Sequence, residues 1–222
     1  DLSFSAVPGQ IIGVTGPVAS GKSTLGRAFL GEVSYQGSIC FGGEELSTLT
    51  AERRWGIVGY LGHDPDLMSG TIRDNILLGN DGDPGPLMEA VCLDGEMVAM
   101  PEGLETRIGS GGVRLSGGQQ ARLALARTLG NPRPLLVLDD PFSALDRQTE
   151  REVFEHLRML TRDRIVILIS HRLYLFPELD QVIWMENGRT RVGTHGELIA
   201  SCGQYAALYE LQRGGADREE NA

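Results

Sequence analysis

A short glycine-rich loop constrains the fold of this chain more than any other feature. It carries the chain's one lysine, Lys22, against nineteen arginines. An ammonium is a compact point charge that fits between phosphate oxygens, and glycines allow successive N–H groups to turn toward an anion. The Ser23 hydroxyl is suited to ligate the Mg²⁺ that accompanies phosphates. The residues predicted to hold phosphates are Gly16, Pro17, Val18, Ala19, Ser20, Gly21, Lys22, Ser23 and Thr24.

The flanks of this loop support the same interpretation. An apolar run at 11–15 precedes it and predicts a buried strand, and an apolar face follows it on a helix over 23–30. A helix N-terminus offers unpaired N–H groups and a favourable dipole to an anion. The alternative is a glycine-rich turn that matches the pattern by accident. We expect instead a site for a nucleoside triphosphate with Mg²⁺.

Composition excludes several classes of protein. The net charge of −10 argues against nucleic acid as the main partner, because phosphate neutralisation needs a basic face. The three cysteines (Cys40, Cys92 and Cys202) are widely spaced, which is typical of free thiols rather than a metal site. No apolar run approaches the eighteen or so residues of a membrane helix.

Strands and helices alternate along most of the chain. Strands are predicted at 11–15, 37–41, 56–61, 135–139, 164–169, 181–186 and 189–193, and helices at 23–30, 117–129, 147–160 and 196–211. This order predicts one α/β domain with a mainly parallel sheet flanked by helices and a partial antiparallel edge. The core is expected over 1–82 and 131–213, a helical insertion without strands over 83–130, and a disordered tail over 214–222.

Two further segments carry candidate chemistry. The strand at 135–139 ends in Asp139 and Asp140, and ligands of open α/β sheets bind beyond the carboxyl ends of strands. Asp139 is therefore a candidate Mg²⁺ ligand and Asp140 a candidate base for an attacking water; the alternative is an acidic cap. A second glycine-rich turn at 115–119 opens a helix. Either it folds back onto the first loop, or two chains packed head to tail share each nucleotide.

These segments resemble motifs of the ATP-binding-cassette (ABC) ATPases, which have the P-loop NTPase fold. Residues 16–24 resemble Walker A, 135–140 Walker B, 115–119 the LSGGQ signature and 143–146 the D-loop, while His171 is similar to the switch histidine. The resemblance implies a dimer that sandwiches ATP between Walker A of one domain and the signature of the other. In that arrangement Ser116, Gly117 and Gly118 would reach the γ-phosphate across the interface, and Gln119 and Asp146 are further candidate nucleotide-binding residues.

Three more segments resemble exporter-type ABC transporters: residues 69–76, 106–112 and 193–198. In that branch the cassette follows a transmembrane domain in the same polypeptide and lies at the cytoplasmic face of the cell membrane. The chain opens as if in mid-strand, so we expect that domain, and the aromatic residue that stacks on adenine, upstream of residue 1.

Three positions depart from the family pattern. Asp140 stands where a catalytic glutamate is usual, His63 where a glutamine near Mg²⁺ is usual, and Ser110 where exporters often carry glutamate. A general base that is one methylene too short to reach its water loses most of its catalytic effect. A neutral imidazole such as that of His63 can still ligate Mg²⁺ or form a hydrogen bond near it. Either these changes are neutral in an active enzyme, or this chain is the degenerate half of a heterodimeric exporter whose non-identical partner carries the glutamate.

Three functions remain open at this point. The first is an ATPase that drives export, with Asp140, His63 and His171 as its catalytic residues. The second is a regulatory module that binds ATP without hydrolysing it, and the third is a soluble ABC ATPase. The transported substrate is not encoded in this segment, because specificity would lie in the membrane domain.

Overall fold

The computed structural model describes residues 1–219, except for the side chains of 98 and 215–219. In chain order the elements are β1 (Ile11–Thr15), α1 (Lys22–Leu30), β2 (Cys40–Phe41), β3 (Glu44–Glu45), α2 (Ala51–Ile57), β4 (Val58–Leu61), β5 (Gly70–Thr71), α3 (Ile72–Leu77), α4 (Gly85–Ala90), α5 (Asp94–Val98), β6 (Arg107–Ile108), α6 (Gly117–Gly130), β7 (Leu135–Asp139), α7 (Arg147–Leu160), β8 (Ile165–Ile169), β9 (Gln181–Glu186), β10 (Arg189–Gly193), α8 (His195–Ser201) and α9 (Gly203–Glu219).

A six-stranded sheet forms the centre of the molecule, in the order β10-β9-β1-β8-β7-β4. All its pairs are parallel except that of β9 with the edge strand β10. Strands β1 and β7 are buried along their whole length, which explains why each is a continuous apolar run. Strand β8 lies between them, and Ile169 is in register with both Val14 and Asp139. The carboxyl ends of β1 and β7 therefore meet at one edge.

Helices cover both faces of this sheet. One apolar cluster joins helix α1 to the sheet through Phe29, Val14 and Ile12. A larger cluster on the opposite face includes Leu125 of α6, Phe154 of α7 and Tyr205 of α9. Within residues 1–219, no helix combines the length and the apolar character needed to cross a bilayer. The predicted α/β class, with a mainly parallel sheet and an antiparallel edge, is confirmed.

Several predicted boundaries were wrong. The strand expected over 37–41 is reduced to Cys40–Phe41, paired with Glu44–Glu45. The segment 83–130 was expected to lack strands, yet Arg107–Ile108 pairs with Gly70–Thr71. Two-residue ladders like these depend on tertiary contacts and leave no periodic signal in the sequence.

The C-terminal prediction also needs correction. The helix expected over 196–211 is two helices, because the backbone of Cys202 is extended (φ −125°, ψ 93°) while its thiol is buried. The second of these helices, α9, extends to Glu219, and the disorder expected over 214–222 stays a prediction. Residues 220–222 lie outside the described part of the chain.

Candidate functional site

The loop between β1 and α1 needs backbone conformations that most residues avoid. Gly16 (φ 150°), Ala19 (φ 63°) and Gly21 (φ 95°) all have positive φ. A Cβ on Gly16 would lie 2.0 Å from the carbonyl oxygen of Met185 in β9. Glycine is therefore required at position 16 by packing as well as by conformation, and the loop is held closely against the neighbouring strand.

Lys22 begins α1 and turns its side chain back over this loop. Only 5% of the residue is exposed. Its Nζ donates hydrogen bonds to the carbonyl oxygens of Gly16 (3.0 Å) and Pro17 (2.8 Å). Burial lowers the pKa of this ammonium, against the opposing effect of the charges of Asp139 and Asp140. The loop thus holds one cation at the edge where β1 and β7 end.

Asp139 ends β7 and is almost completely buried. The hydroxyl of Tyr60, in β4, donates to its Oδ2 at 3.4 Å. Burial, reinforced by the charge of Asp139, raises the pKa of Tyr60 to about 12, so the phenol remains a hydrogen-bond donor over the physiological pH range. Sequence reasoning missed Tyr60, which has the appearance of an ordinary strand residue.

Asp140 has a left-handed backbone conformation, and each of its carboxylate oxygens has a polar neighbour. Its φ is 53°, in the left-handed region, and its N–H donates to the carbonyl of Ile169 at 2.8 Å. The Ser170 hydroxyl donates to Oδ1 over a long 3.5 Å, and Nδ1 of His63 lies 3.7 Å from Oδ2. His63 is exposed and follows β4. The structure therefore places Asp140 and His63, two of the three departures from the family pattern, next to each other.

This group of residues fits a magnesium nucleoside triphosphate. Among residues 1–219, no cluster of three or more His, Cys, Asp or Glu side chains is placed to hold a metal by itself. Mg²⁺ is typically held by one or two carboxylates together with the substrate's own phosphates. Asp139 and the exposed Ser23 on the first turn of α1 offer oxygen ligands for the ion, and the ammonium of Lys22 offers a positive charge to the phosphates.

The signature turn forms a second, separate group. Ser116 caps α6 by accepting from the N–H of Gln119 (3.2 Å), whose Oε1 accepts in return from the N–H of Ser116 (2.9 Å). The side-chain amide of Gln119 also donates to Glu96 of α5 at 2.7 Å, and Arg122 pairs with the same carboxylate at 2.6 Å. Ser116 and Gly117 are exposed. Sequence reasoning missed Glu96 and Arg122, for which no motif gave a signal.

The signature turn lies against the D-loop of the same chain. A Cβ on Gly118 would be 3.1 Å from the carbonyl oxygen of Ala144. Asp146, two residues later, caps α7 by accepting from the N–H (2.9 Å) and hydroxyl (2.7 Å) of Thr149. The backbone hydrogen bond from Thr149 is the main cause that lowers the pKa of Asp146. Asp146 is exposed, but both its carboxylate oxygens already accept hydrogen bonds.

His171 lies in an exposed position two residues after the end of β8. The next residue, Arg172, reaches the D-loop by donating to the carbonyls of Leu145 (2.7 Å) and Ser143 (3.0 Å). Arg172 also pairs with the buried Glu150 of α7 at 2.6 Å. The side chain of His171 is thus exposed, while the segment around it is fixed by its neighbours.

Comparisons with known proteins support the same family. A family model described as "ABC transporter" matches residues 1–143. The chain is 34% identical over 219 residues to the probable multidrug resistance ABC transporter ATP-binding/permease protein YheI of Bacillus subtilis, covering 96% of this chain and 37% of that protein. It is 36% identical over 218 residues to the ATP-dependent lipid A-core flippase of Pseudomonas savastanoi, covering 95% and 36%.

Two further matches extend this picture. The mycobactin import ATP-binding/permease protein IrtA of Mycolicibacterium smegmatis is 35% identical over 220 residues, covering 95% of this chain and 25% of that protein. The structure of a bacterial Atm1-family ABC exporter with ATP bound superposes with a TM-score of 0.86 at 30% identity, covering 92% of this chain and 37% of that one. The chain thus spans between a quarter (25%) and little more than a third (37%) of the length of these matched proteins. It belongs to the ABC transporter family, as a nucleotide-binding domain.

Proposed function

We propose that this chain binds MgATP at the loop of residues 16–24 and uses it to drive transport through a membrane domain. The observation that carries the proposal is the buried ammonium of Lys22, held by two loop carbonyls beside Asp139 and Asp140. When bound, Mg²⁺ would neutralise phosphate charge, with Ser23, Asp139 and His63 as its ligands. The loop N–H groups and Lys22 would hold the phosphates.

Hydrolysis at this site is proposed to be slow. A base must reach the water that attacks the γ-phosphate, and Asp140 is one methylene shorter than the usual glutamate. Its carboxylate is also engaged by Ser170 and faced by the imidazole of His63. His171, exposed beside this group, would contact the γ-phosphate side of the nucleotide.

The signature of this chain is proposed to serve a second nucleotide-binding domain. Ser116, Gly117, Gly118 and Gln119 form a capped helix N-terminus whose first residues are exposed, which suits an anion presented from outside. Asp146 would lie at the same interface. A non-identical partner that carries the catalytic glutamate would then hold the faster site, and residues 83–130 would act as the subdomain that presents the signature.

The setting of the domain is inferred from its relatives. Two of the matched proteins are named ATP-binding/permease proteins, which supports a transmembrane domain in the same polypeptide and a position at the cytoplasmic face of the membrane. The matched flippase and Atm1-family exporter favour export. One relative is named for import, so direction is tested separately, by transport into or out of vesicles.

The central test removes the ammonium. Lys22→Ala should weaken binding of a non-hydrolysable ATP analogue with Mg²⁺ by at least about 100-fold in isothermal titration, because no other ammonium is available. Arg27→Ala, on the exposed face of the same helix, is the matched control and should bind as the wild type does. Equal affinity of Lys22→Ala and the wild type would refute the phosphate-loop assignment.

A non-hydrolysing regulatory module is the second candidate. The 3.7 Å approach of His63 to Asp140 favours it, since the imidazole faces the carboxylate that should act as base. Turnover by the assembled pair, with the partner's own base disabled, separates the two candidates. Measurable hydrolysis supports the slow enzyme, and tight ATP binding with no hydrolysis supports the module.

A further inference from the structure

The last long helix, α9, has one face that packs on the rest of the domain. Tyr205 is fully buried, its ring lies edge-on to Trp184 of β9 at 5.8 Å, and its hydroxyl is 2.7 Å from Nδ1 of His195 in α8. Tyr209 packs on the same imidazole at 4.6 Å. Residues at i, i+4 and i+7 share one face of a helix, so Gln212 belongs to the inward face defined by Tyr205 and Tyr209.

Gln212 uses both ends of its side-chain amide on one short stretch of backbone. Its Nε2 donates to the carbonyl oxygen of His171 at 2.7 Å, and its Oε1 accepts from the N–H of Leu173 at 2.8 Å. These two backbone groups flank Arg172. The amide therefore fixes the backbone torsions of Arg172 and the direction in which the chain leaves His171.

The fixed segment makes direct contact with the nucleotide side of the domain. The N–H of Arg172 donates to the hydroxyl of Ser170 at 3.0 Å, and that hydroxyl is 3.5 Å from Asp140. The guanidinium of Arg172 reaches the D-loop carbonyls of Ser143 and Leu145. A change in the backbone at Arg172 would therefore move His171 and release the D-loop together.

We propose that Gln212 is a positioning residue that sets the orientation of His171 from the C-terminal helix. This inference rests on the proposed function, because it assigns to His171 a role in turnover. Gln212 touches neither the nucleotide loop nor the carboxylates, so its effect on turnover must be transmitted through the backbone of residues 171–173. Helix α9 thereby becomes a structural support of the catalytic site.

The first arm of the test measures the two hydrogen bonds of Gln212 to the backbone of residues 171 and 173, called the clamp below, without reference to activity. Amide hydrogen exchange of Leu173 in the full-length protein should be about threefold to tenfold faster in Gln212→Ala, which loses both hydrogen bonds. Gln212→Glu keeps the acceptor for the N–H of Leu173 but loses the donor to the carbonyl of His171. In this variant the exchange rate of the Leu173 amide should therefore stay close to that of the wild type. Gln204→Ala, an exposed glutamine on the first turn of α9, is the matched control. Unchanged exchange in Gln212→Ala would refute the clamp.

The second arm measures ATP turnover with the partner's own base disabled. Both Gln212→Ala and Gln212→Glu should lower kcat several-fold while KM for ATP stays within about twofold, since the residues that bind phosphate are untouched. Gln204→Ala should change neither. Faster exchange with unchanged kcat would overturn the positioning role. Failure of the wild-type protein to bind MgATP would instead overturn the proposed function, and the exchange arm would still decide whether the clamp exists.

Discussion

The two candidate phosphate-binding parts of this domain are built in different ways. The loop that carries Lys22 lies at the end of β1, beside β7, and both strands are buried along their whole length. The signature turn begins an exposed helix end and is held by side-chain hydrogen bonds of Gln119 and Arg122 to a single carboxylate, Glu96. One part is positioned by packing and the other by a small polar network.

This contrast has consequences for how each part responds to change. Positions fixed by a close-packed core move little when one polar contact is lost. A polar network held by one shared carboxylate can be released as a unit. We therefore expect the Lys22 group to remain ordered under conditions that disorder the signature turn.

The largest expected effect is on the rate of ATP hydrolysis at the site of Lys22 and Asp140, which the packed core positions. Asp140→Glu should raise turnover by about tenfold or more, since general-base help is worth on the order of 10²–10⁴ in rate. The gain is limited because glutamate tolerates a φ of 53° less well than aspartate. The double change with His63→Gln should exceed either single change.

Hydrolysis by these variants is measured with the partner's own base disabled. Asp140→Asn, which keeps the size and the tolerance for positive φ, is the control and should remove the residual rate. If neither Asp140→Glu nor the double variant raises turnover, Asp140 is not what slows this site.

A smaller effect is expected from breaking the polar network. Arg122→Met removes a mostly buried partner of Glu96 and should lower the free energy of unfolding by about 2 kcal/mol. Arg73→Met breaks the exposed pair with Glu105 and should cost less than about 1 kcal/mol. Urea unfolding gives both values. In Arg122→Met, MgATP affinity at the Lys22 loop should stay within about twofold; a large loss there would show that the two parts are not independent.

The smallest effect is a pH dependence. Burial alone would raise the pKa of Glu96, but hydrogen bonds from Gln119 and Arg122 outweigh it and lower the pKa below its usual value. A depressed carboxylate pKa stabilises the fold above the unfolded pKa of about 4.3, and this stabilisation is lost as pH falls through the lower folded value. The Tm difference between wild type and Glu96→Gln should therefore shrink between pH 6 and pH 3.5. A constant difference would contradict the assignment.

The sequence predicted the parts of the fold that depend on local pattern. The strands at 11–15, 135–139, 181–186 and 189–193 have the predicted limits, because buried runs and alternating edges carry a clear periodicity. Helices α2 and α3 were missed, although Thr71 and Asp74 form a capping box that marks the start of α3. Such short helices gain their stability from tertiary packing rather than from propensity.

The candidate site was predictable only in part, for a related reason. Residues at strand ends and helix starts, such as Lys22 and Asp139, follow from the rule that parallel strands deliver their carboxyl ends to one edge. Glu96, Arg172 and Gln212 act through contacts between segments far apart in sequence. No local pattern reports such contacts, because they depend on where whole helices pack.

The close approach of Gly16 to the carbonyl of Met185 limits which substitutions this sequence can accept during evolution. A Cβ at position 16 would force β9 or the loop to move, whether or not a nucleotide is ever bound. A descendant of this chain that had abandoned ATP would thus still be held to glycine there by the sheet. The glycine at position 16 therefore follows from the packing of the sheet, whereas Lys22, whose ammonium contacts only the loop itself in this structure, is the position at which loss of phosphate binding would first become visible.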